Sequence, residues 1–199
     1  PAYTEPEEAY GFVSVAAGDG IRELFSDLGC GQIVSGGQTM NPSTDDILHA
    51  VEATPAKVVY VLPNNKNIIL AAEQAIPLAS REVHVLPTRT IPQGVSALLA
   101  FDPEASVKEN LLAMTKAADS VSTGQVTFAA RDSDYDGKQI REGQILALDS
   151  GKIDFVDEEV THAAVKLTRH LINARRADGR AVEYVTLMYG KGVSEAQAE

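Results

Sequence analysis

The chain contains a single cysteine, Cys30, and no apolar run close to the roughly 20 residues that span a bilayer. One cysteine allows neither an internal disulfide nor a cysteine-based zinc site. We therefore expect a cytoplasmic protein without a membrane span, in which Cys30 is a small buried apolar residue at the start of a strand.

Basic residues are also scarce, with 17 Lys and Arg against 28 Asp and Glu, which gives a net charge of −11. Binding to nucleic acid requires clustered Lys and Arg that neutralise phosphates, and only Arg175 and Arg176 are adjacent. We expect no nucleic-acid partner and no attraction to an anionic membrane surface. The acidic, proline-containing residues 1–9 do not resemble a signal peptide and are interpreted as a linker.

Short apolar segments alternate with helical patterns four times in the first part of the chain. The predicted strands are residues 11–16, 30–35, 57–62 and 81–86, and each is followed by a segment with apolar residues at helical spacing. This alternation is typical of βαβ units and predicts a parallel sheet with helices on its faces. The first lobe is expected to cover residues 10–121.

The remainder of the chain has a different pattern. A long amphipathic helix over residues 106–121 is followed by strand-like segments that DG and SG turns interrupt, which predicts an antiparallel meander. A helix and a final strand over residues 181–190 come next. We therefore expect an α/β protein whose parallel lobe is followed by a smaller α+β lobe, residues 122–199.

Four polar motifs follow the four predicted parallel strands, namely GDG, SGGQTMNPST, LPNNKN and TRTIPQG. The carboxyl ends of parallel strands meet at one sheet edge, where ligands bind in such folds, so the motifs predict a functional surface there. Local roles are an alternative for each motif. Asp19 would cap a helix, Asn64 and Asn65 would form a turn, and Ser43, in an S-x-x-D capping box, would start a helix near Thr44.

No sequence motif in the chain specifies chemistry. A phosphate-binding loop and a G-x-S-x-G elbow are missing, and Glu23 stands where a dinucleotide fingerprint needs its third glycine. The segment DSDYDG resembles the start of a calcium loop, but Gly143 occupies the twelfth position, where a glutamate is required, so a hairpin is favoured. We predict no catalytic residue, no metal site and no cofactor in this domain.

Several long stretches resemble one bacterial family. They are GDGIRELFSDLG, SGGQTMNPSTDDIL, VLPNNKNIILAAEQA, TIPQGVSALLAFDPEASVKENLLAM and TGQVTFAARDSDYDGKQIREGQILAL. They look like the C-terminal domain of the large proteins of the dihydroxyacetone kinase family, the FakA or YloV type, also labelled "Dak phosphatase". The resemblance covers about Tyr10 to Met188.

The resemblance implies a two-lobed DegV-like (EDD-type) fold and a role in fatty acid phosphorylation. In that family a separate kinase domain of the same polypeptide binds ATP, and the fatty acid is carried by a DegV-like protein, which this domain is thought to dock. The resemblance also allows the full-length protein to form a homodimer. The docking surface would consist of the strand-end residues Asp19, Gly36, Gly37, Gln38, Thr39, Asn41, Ser43, Thr44, Asn64, Asn65, Lys66 and Gln93.

Two other functions remain open from the sequence. The same loops could serve a phosphatase or a small anionic ligand, because a helix that begins with Ser43 and Thr44 offers free backbone N–H groups. A lipid pocket between the lobes is a further alternative. Family members usually end with another strand, so the second lobe is expected to be truncated at its C-terminus.

Overall fold

The protein's structure, a computed structural model, describes residues 3–37, 40–135 and 137–199. The chain divides into two compact units, Pro1–Val121 and Ser122–Glu199. Among the described residues, no helix has both the length and the apolar character needed to cross a membrane.

The first unit is built on a four-stranded parallel sheet, as the sequence predicts. Its strands are β1 (Glu8–Ala16), β2 (Gln32–Ser35), β3 (Ala56–Leu62) and β4 (Glu82–Val85). They lie in the order β2-β1-β3-β4, and every neighbouring pair is parallel. The central strands β1 and β3 are the longest and the most buried, which agrees with their nearly continuous apolar sequences.

In the described part of this unit, helices follow the strands, as the sequence pattern predicts. They are α1 (Asp19–Asp27), α2 (Thr44–Ala53), α3 (Ile69–Ala75), α4 (Ile91–Leu99) and α5 (Val107–Asp119). A 3-10 turn, Ile76–Leu78, follows α3 because Pro77 lacks the N–H that an α-helix would need.

Alternate residues of β3 point to opposite faces of the sheet and divide the core in two. Tyr60 and Leu62 pack with residues of α1, α4 and α5, including the buried Met114. Val59 and Val61 pack on the other face with residues of α2 and α3. The unit therefore has three layers, with helices on both sides of the sheet.

The second unit combines small antiparallel sheets with one long helix. Its strands are β5 (Gly124–Phe128), β6 (Ser133–Tyr135), β7 (Lys138–Ile140), β8 (Ile145–Asp149) and β9 (Lys152–Asp157), and its helices are α6 (Val160–Ala177) and α7 (Glu195–Ala198). One sheet has the order β5-β8-β9, and β6 pairs with β7 in a hairpin. The hairpin falls where a calcium loop was the alternative.

Helix α6 covers one face of the β5-β8-β9 sheet. A side chain at Gly124 would meet Leu167 and Leu171 of this helix, so the glycine allows a close approach of helix and strand. The ring of Phe155 on β9 contacts the imidazole of His170 edge-on, with ring centroids 5.4 Å apart, and lies under the Lys166 ammonium.

The prediction of a final strand over residues 181–190 was wrong. This segment has no regular secondary structure, and most of its apolar side chains are exposed, with Tyr184 at 88%. Its composition favours a strand, but a strand forms only where a neighbour accepts its backbone hydrogen bonds, and no described strand of the unit pairs with it.

A buried ion pair between Arg81 and Glu52 also contacts the N-terminal segment of the first unit. The Arg81 guanidinium donates to Glu52 Oε2 at 3.2 Å and to the carbonyl oxygens of Thr4 and Thr54. Both charged side chains are nearly inaccessible, at 3% for Arg81 and 10% for Glu52. Burial raises the pKa of Glu52, but hydrogen bonds from Ser80 and the Arg81 charge outweigh it and hold that pKa below its usual value.

We predict that Arg81→Ala lowers the free energy of unfolding by about 3–5 kcal/mol, because it leaves the Glu52 carboxylate buried without its cation. Urea denaturation measures the change. Adding Glu52→Leu should recover part of the loss, because it removes the buried carboxylate that Arg81→Ala leaves without a cation. An apolar replacement of both partners costs much less than the loss of one of them. A loss below about 1 kcal/mol for Arg81→Ala would contradict this assignment.

The Cys30 thiol should be unreactive in the folded protein. Its side chain is buried, and burial raises the pKa of this thiol to about 12, whereas the thiolate is the nucleophile. A disulfide reagent at pH 8 should titrate one thiol per chain in denaturant and almost none in buffer. Rapid labelling of the folded chain would contradict the placement.

The raised pKa of Cys30 also predicts the sign of a pH effect. An unfolded thiol ionises near pH 8.5, so above about pH 9 the unfolded state releases a proton that the folded state retains. Stability should fall as the pH rises from there. In Cys30→Ala this part of the decline, up to about 1.4 kcal/mol per pH unit, should disappear.

Candidate functional site: the carboxyl edge of the parallel sheet

Asn64 stands where the strand-end loops of the first unit meet. It follows β3 with a positive φ of 56°, a conformation that asparagine tolerates better than most residues. Its Nδ2 donates to Ser14 Oγ at 2.9 Å and to the Val15 carbonyl at 3.0 Å, both on β1. Its backbone N–H donates to the hydroxyl of Thr88, after β4, at 3.1 Å. One buried residue thus joins three parallel strands at their carboxyl ends.

The side-chain amide oxygen of Asn64, Oδ1, lies against α4. A Cβ atom built on Gly94 would fall 2.1 Å from Asn64 Oδ1, so only glycine permits the contact. This oxygen is buried and accepts no hydrogen bond among the described residues. Asn64 was predicted to lie on a binding surface, but its side chain is buried inside the unit.

The loop after β2 turns back on itself close to β1. The Gly36 N–H donates to the Ala16 carbonyl, and the Gly37 N–H donates to the Met40 carbonyl at 2.9 Å. A side chain at Gly36 would collide with Val15 and with Pro42. Gln38 and Thr39, also predicted for the surface, lie outside the described residues.

Ser43 and Thr44 begin α2, as the capping-box sequence predicts. Ser43 Oγ accepts from the Asp46 N–H at 3.1 Å, and Asp46 Oδ2 accepts from the Ser43 N–H at 2.8 Å and from its hydroxyl. These hydrogen bonds hold the pKa of Asp46 below its usual value. The Thr44 hydroxyl donates to Gln74 on α3. The chain's own carboxylate therefore occupies the first turn of this helix.

Gln93 and Asn65 both have local roles, and for Asn65 the role is the turn that was the alternative to a binding surface. Gln93 Oε1 accepts from the Arg89 N–H at 2.8 Å, while the Gln93 N–H donates to the hydroxyl of Thr90, the N-cap of α4. Asn65 Oδ1 accepts from the Asn67 N–H in a turn.

The remaining predicted residues are exposed at this edge. Asp19 is the first residue of α1 and makes no capping bond; Gly18, with φ of 83°, is the N-cap instead. Asn41 and Lys66 project into solvent, and Met40 beside Asn41 is 65% exposed. The structure therefore separates the predicted residues into an internal group around Asn64 and an exposed group.

Sequence reasoning missed Ser14 and Thr88, which complete the Asn64 network. Both are fully buried polar residues. A serine in the middle of the apolar strand FVSVA was the available signal, since a buried hydroxyl requires a hydrogen-bond partner. Nothing in the sequence indicated that the partner lies 50 residues away.

The fold and this edge define a class of protein: a two-unit α/β domain with polar, internally braced loops at the carboxyl ends of a parallel sheet. Over residues 11–199 the chain matches the family of FakA-like C-terminal domains, which are named after a fatty acid kinase. It belongs to this family, which confirms the resemblance noted from its sequence.

Curated relatives agree with the family. The chain is 43% identical over 193 residues to Protein YloV of Bacillus subtilis (strain 168), a match that covers 97% of this chain and 34% of YloV. It is 38% identical over 186 residues to an uncharacterized protein of Staphylococcus aureus (strain MRSA252), covering 92% of this chain and 32% of that protein. The chain thus spans about a third of the length of these relatives.

We predict that Gly94→Ala lowers the free energy of unfolding by about 1–3 kcal/mol, because the new methyl group meets the Asn64 amide. Denaturant titration measures the loss. Adding Asn64→Gly should make the Gly94→Ala change less costly, since it removes the atoms that collide and suits the positive φ.

Gly20→Ala provides the matched control for this prediction. Gly20 lies in α1 with open space where its Cβ would stand, so the same substitution should be neutral or stabilise by about 0.4–1 kcal/mol. Equal losses at Gly94 and Gly20 would show that the contact with Asn64 has no special weight.

Proposed function

We propose that this chain is a non-catalytic docking domain of a fatty acid kinase-type protein. It would dock a fatty-acid-binding, DegV-like partner, while a separate domain of the full-length polypeptide binds ATP and forms the acyl phosphate. Membership of the FakA-like C-terminal domain family supports the kinase context. The chain's share of about a third of its relatives leaves room for such a domain.

The observation that carries this proposal is the division of the polar strand-end residues. The side chains best suited to bind a small ligand already form hydrogen bonds within the chain; they are Asn64, Ser43 and Gln93. Among the described residues of these loops, those left at the surface include Asp19, Asn41, Lys66 and the exposed Met40. A mixed polar and apolar surface of this kind suits contact with another protein better than enclosure of a substrate.

The alternative, a phosphatase or a binding site for a small anion, has less support from the geometry. An anion at the start of α2 would have to displace the Asp46 carboxylate from its bonds with Ser43, and Asp45 adds a second negative charge beside it. Repulsion between these carboxylates and a phosphate would weaken binding there.

Isothermal calorimetry with the fatty-acid-loaded DegV-like proteins of the same organism tests the docking proposal. Saturable binding is expected. Asn41→Ala should weaken it by about 1 kcal/mol or more, as residues near the centre of an interface do when truncated.

Asn173→Ala is the matched control, because Asn173 is an exposed asparagine on α6, away from the strand-end loops in sequence. It should leave the affinity unchanged. If no DegV-like protein binds the wild-type chain, the docking role belongs elsewhere in the full-length protein, and the proposal fails.

A further inference from the structure

The outer edge of β2 is an open strand edge. Strand β2 is the last in the order β2-β1-β3-β4, so only its inner side is paired. Gly36 donates its N–H inward to Ala16. Because the direction of backbone groups alternates along a strand, Val34 also points inward, and Ile33 and Ser35 point their N–H and C=O groups outward. No described residue bonds to these outward groups.

A groove runs beside this edge, between β2 and α2. It has a volume of about 630 Å³. Val34, Ala50, Ala53 and the exposed Met40 give it an apolar lining, and His49 and Asp46 add polar groups. If another strand paired with this edge, every second side chain of that strand would point into the groove.

The two edges of the sheet differ in how they are protected. Strand β4, at the other edge, carries the charged Glu82, which pairs with His84 at 2.6 Å. Strand β2 has the sequence QIVS, without a charged residue or a proline. Proteins protect free edges with charge, proline or a short strand; β2 is short but has neither charge nor proline, so its own sequence does not block strand addition.

Charge indicates the character of the added strand. None of the described residues that line the groove is Lys or Arg, and Asp46 lies in its lining with Asp45 next to it on α2. Residues 1–120 as a whole contain 15 Asp and Glu against seven Lys and Arg. The nearby cation Arg22 lies on α1, whose core contacts are on the opposite face of the sheet, and bonds to Ser35 Oγ. A basic segment therefore complements this groove.

We propose that β2 and the groove beside α2 bind an extended segment of a partner protein, which adds to the sheet as a fifth strand and directs a Lys or Arg toward Asp45 and Asp46. A strand as short as β2, at about 3.3 Å per residue, would pair with a segment of four or five residues. This inference deepens the proposed docking function, because it says how the partner is held.

Selection of random dodecapeptides displayed on phage tests the inference on the whole chain. Enriched peptides should combine β-branched or aromatic residues with Lys or Arg. Measured by fluorescence polarisation as synthetic peptides, they should bind Ser35→Pro at least about tenfold more weakly than wild type, since proline removes an outward N–H and obstructs pairing. Hydrogen exchange at Ile33 and Ser35 should slow when the peptide binds.

Two further variants make the result specific. Ser35→Ala is the matched control; it loses the same Arg22 contact as Ser35→Pro but keeps the N–H, so its affinity should stay within about twofold of wild type. Asp45→Lys leaves the strand untouched and should weaken basic peptides several-fold while favouring acidic ones. It keeps the test valid if Ser35→Pro proves unstable.

The outcomes separate this inference from the docking proposal. Failure to select any peptide, or equal binding of selected peptides to wild type and Ser35→Pro, overturns the strand-addition site. If a loaded DegV-like protein binds wild type and Ser35→Pro with the same affinity, docking stands and this site is wrong for it. Peptides that depend on Ser35, together with DegV-like proteins that do not bind, would support the site and overturn the proposed partner.

Discussion

The side chain of Asn64 is the interaction on which the carboxyl edge of the first unit depends. It bonds to Ser14 and Val15 on β1, its backbone bonds to Thr88 after β4, and its oxygen rests against Gly94 on α4. Every one of these groups is excluded from water, where an unmade hydrogen bond costs about 1–3 kcal/mol. One buried asparagine therefore joins β1, the end of β3 and the loop after β4.

This bracing explains why the edge presents so few free polar groups. Some residues whose type suggests ligand binding form hydrogen bonds within caps and turns instead. Ser43 bonds with Asp46, and Gln93 bonds with Arg89. What remains for a partner is a rim with exposed side chains such as Asn41 and Met40. Exposed polar and apolar side chains together suit recognition of another protein.

The candidate site was predicted only in part, and the reason is physical. The position of the loops followed from strand alternation, because a parallel sheet places all its strand ends together. The alternation of strands and helices did not predict which loop residues are buried and which are exposed. Asn41 and Asn64 are the same residue type in similar loops, yet one is exposed and the other buried. That difference depends on which distant groups come within hydrogen-bonding distance.

The groove beside β2 was also invisible to sequence reasoning. Gln32 and Val34 belong to β2 and Ala50 belongs to α2, so their common surface exists only once α2 has packed against the sheet. The edge position of β2 follows from the strand order, which alternating patterns leave open because several orders satisfy the same alternation.

By itself the sequence determined the features that depend on neighbouring residues: the alternation of strands and helices, the capping boxes at Ser43 and Ser106, and the long motifs that mark the family. Tertiary structure alone decided the features that depend on distant partners. These are the Asn64 network, the ion pair of Arg81 with Glu52, and the fate of residues 181–190, which have strand-forming composition but no strand to pair with. Local preferences are set by each residue and its near neighbours, whereas burial, pairing and charge compensation require groups that only folding brings together.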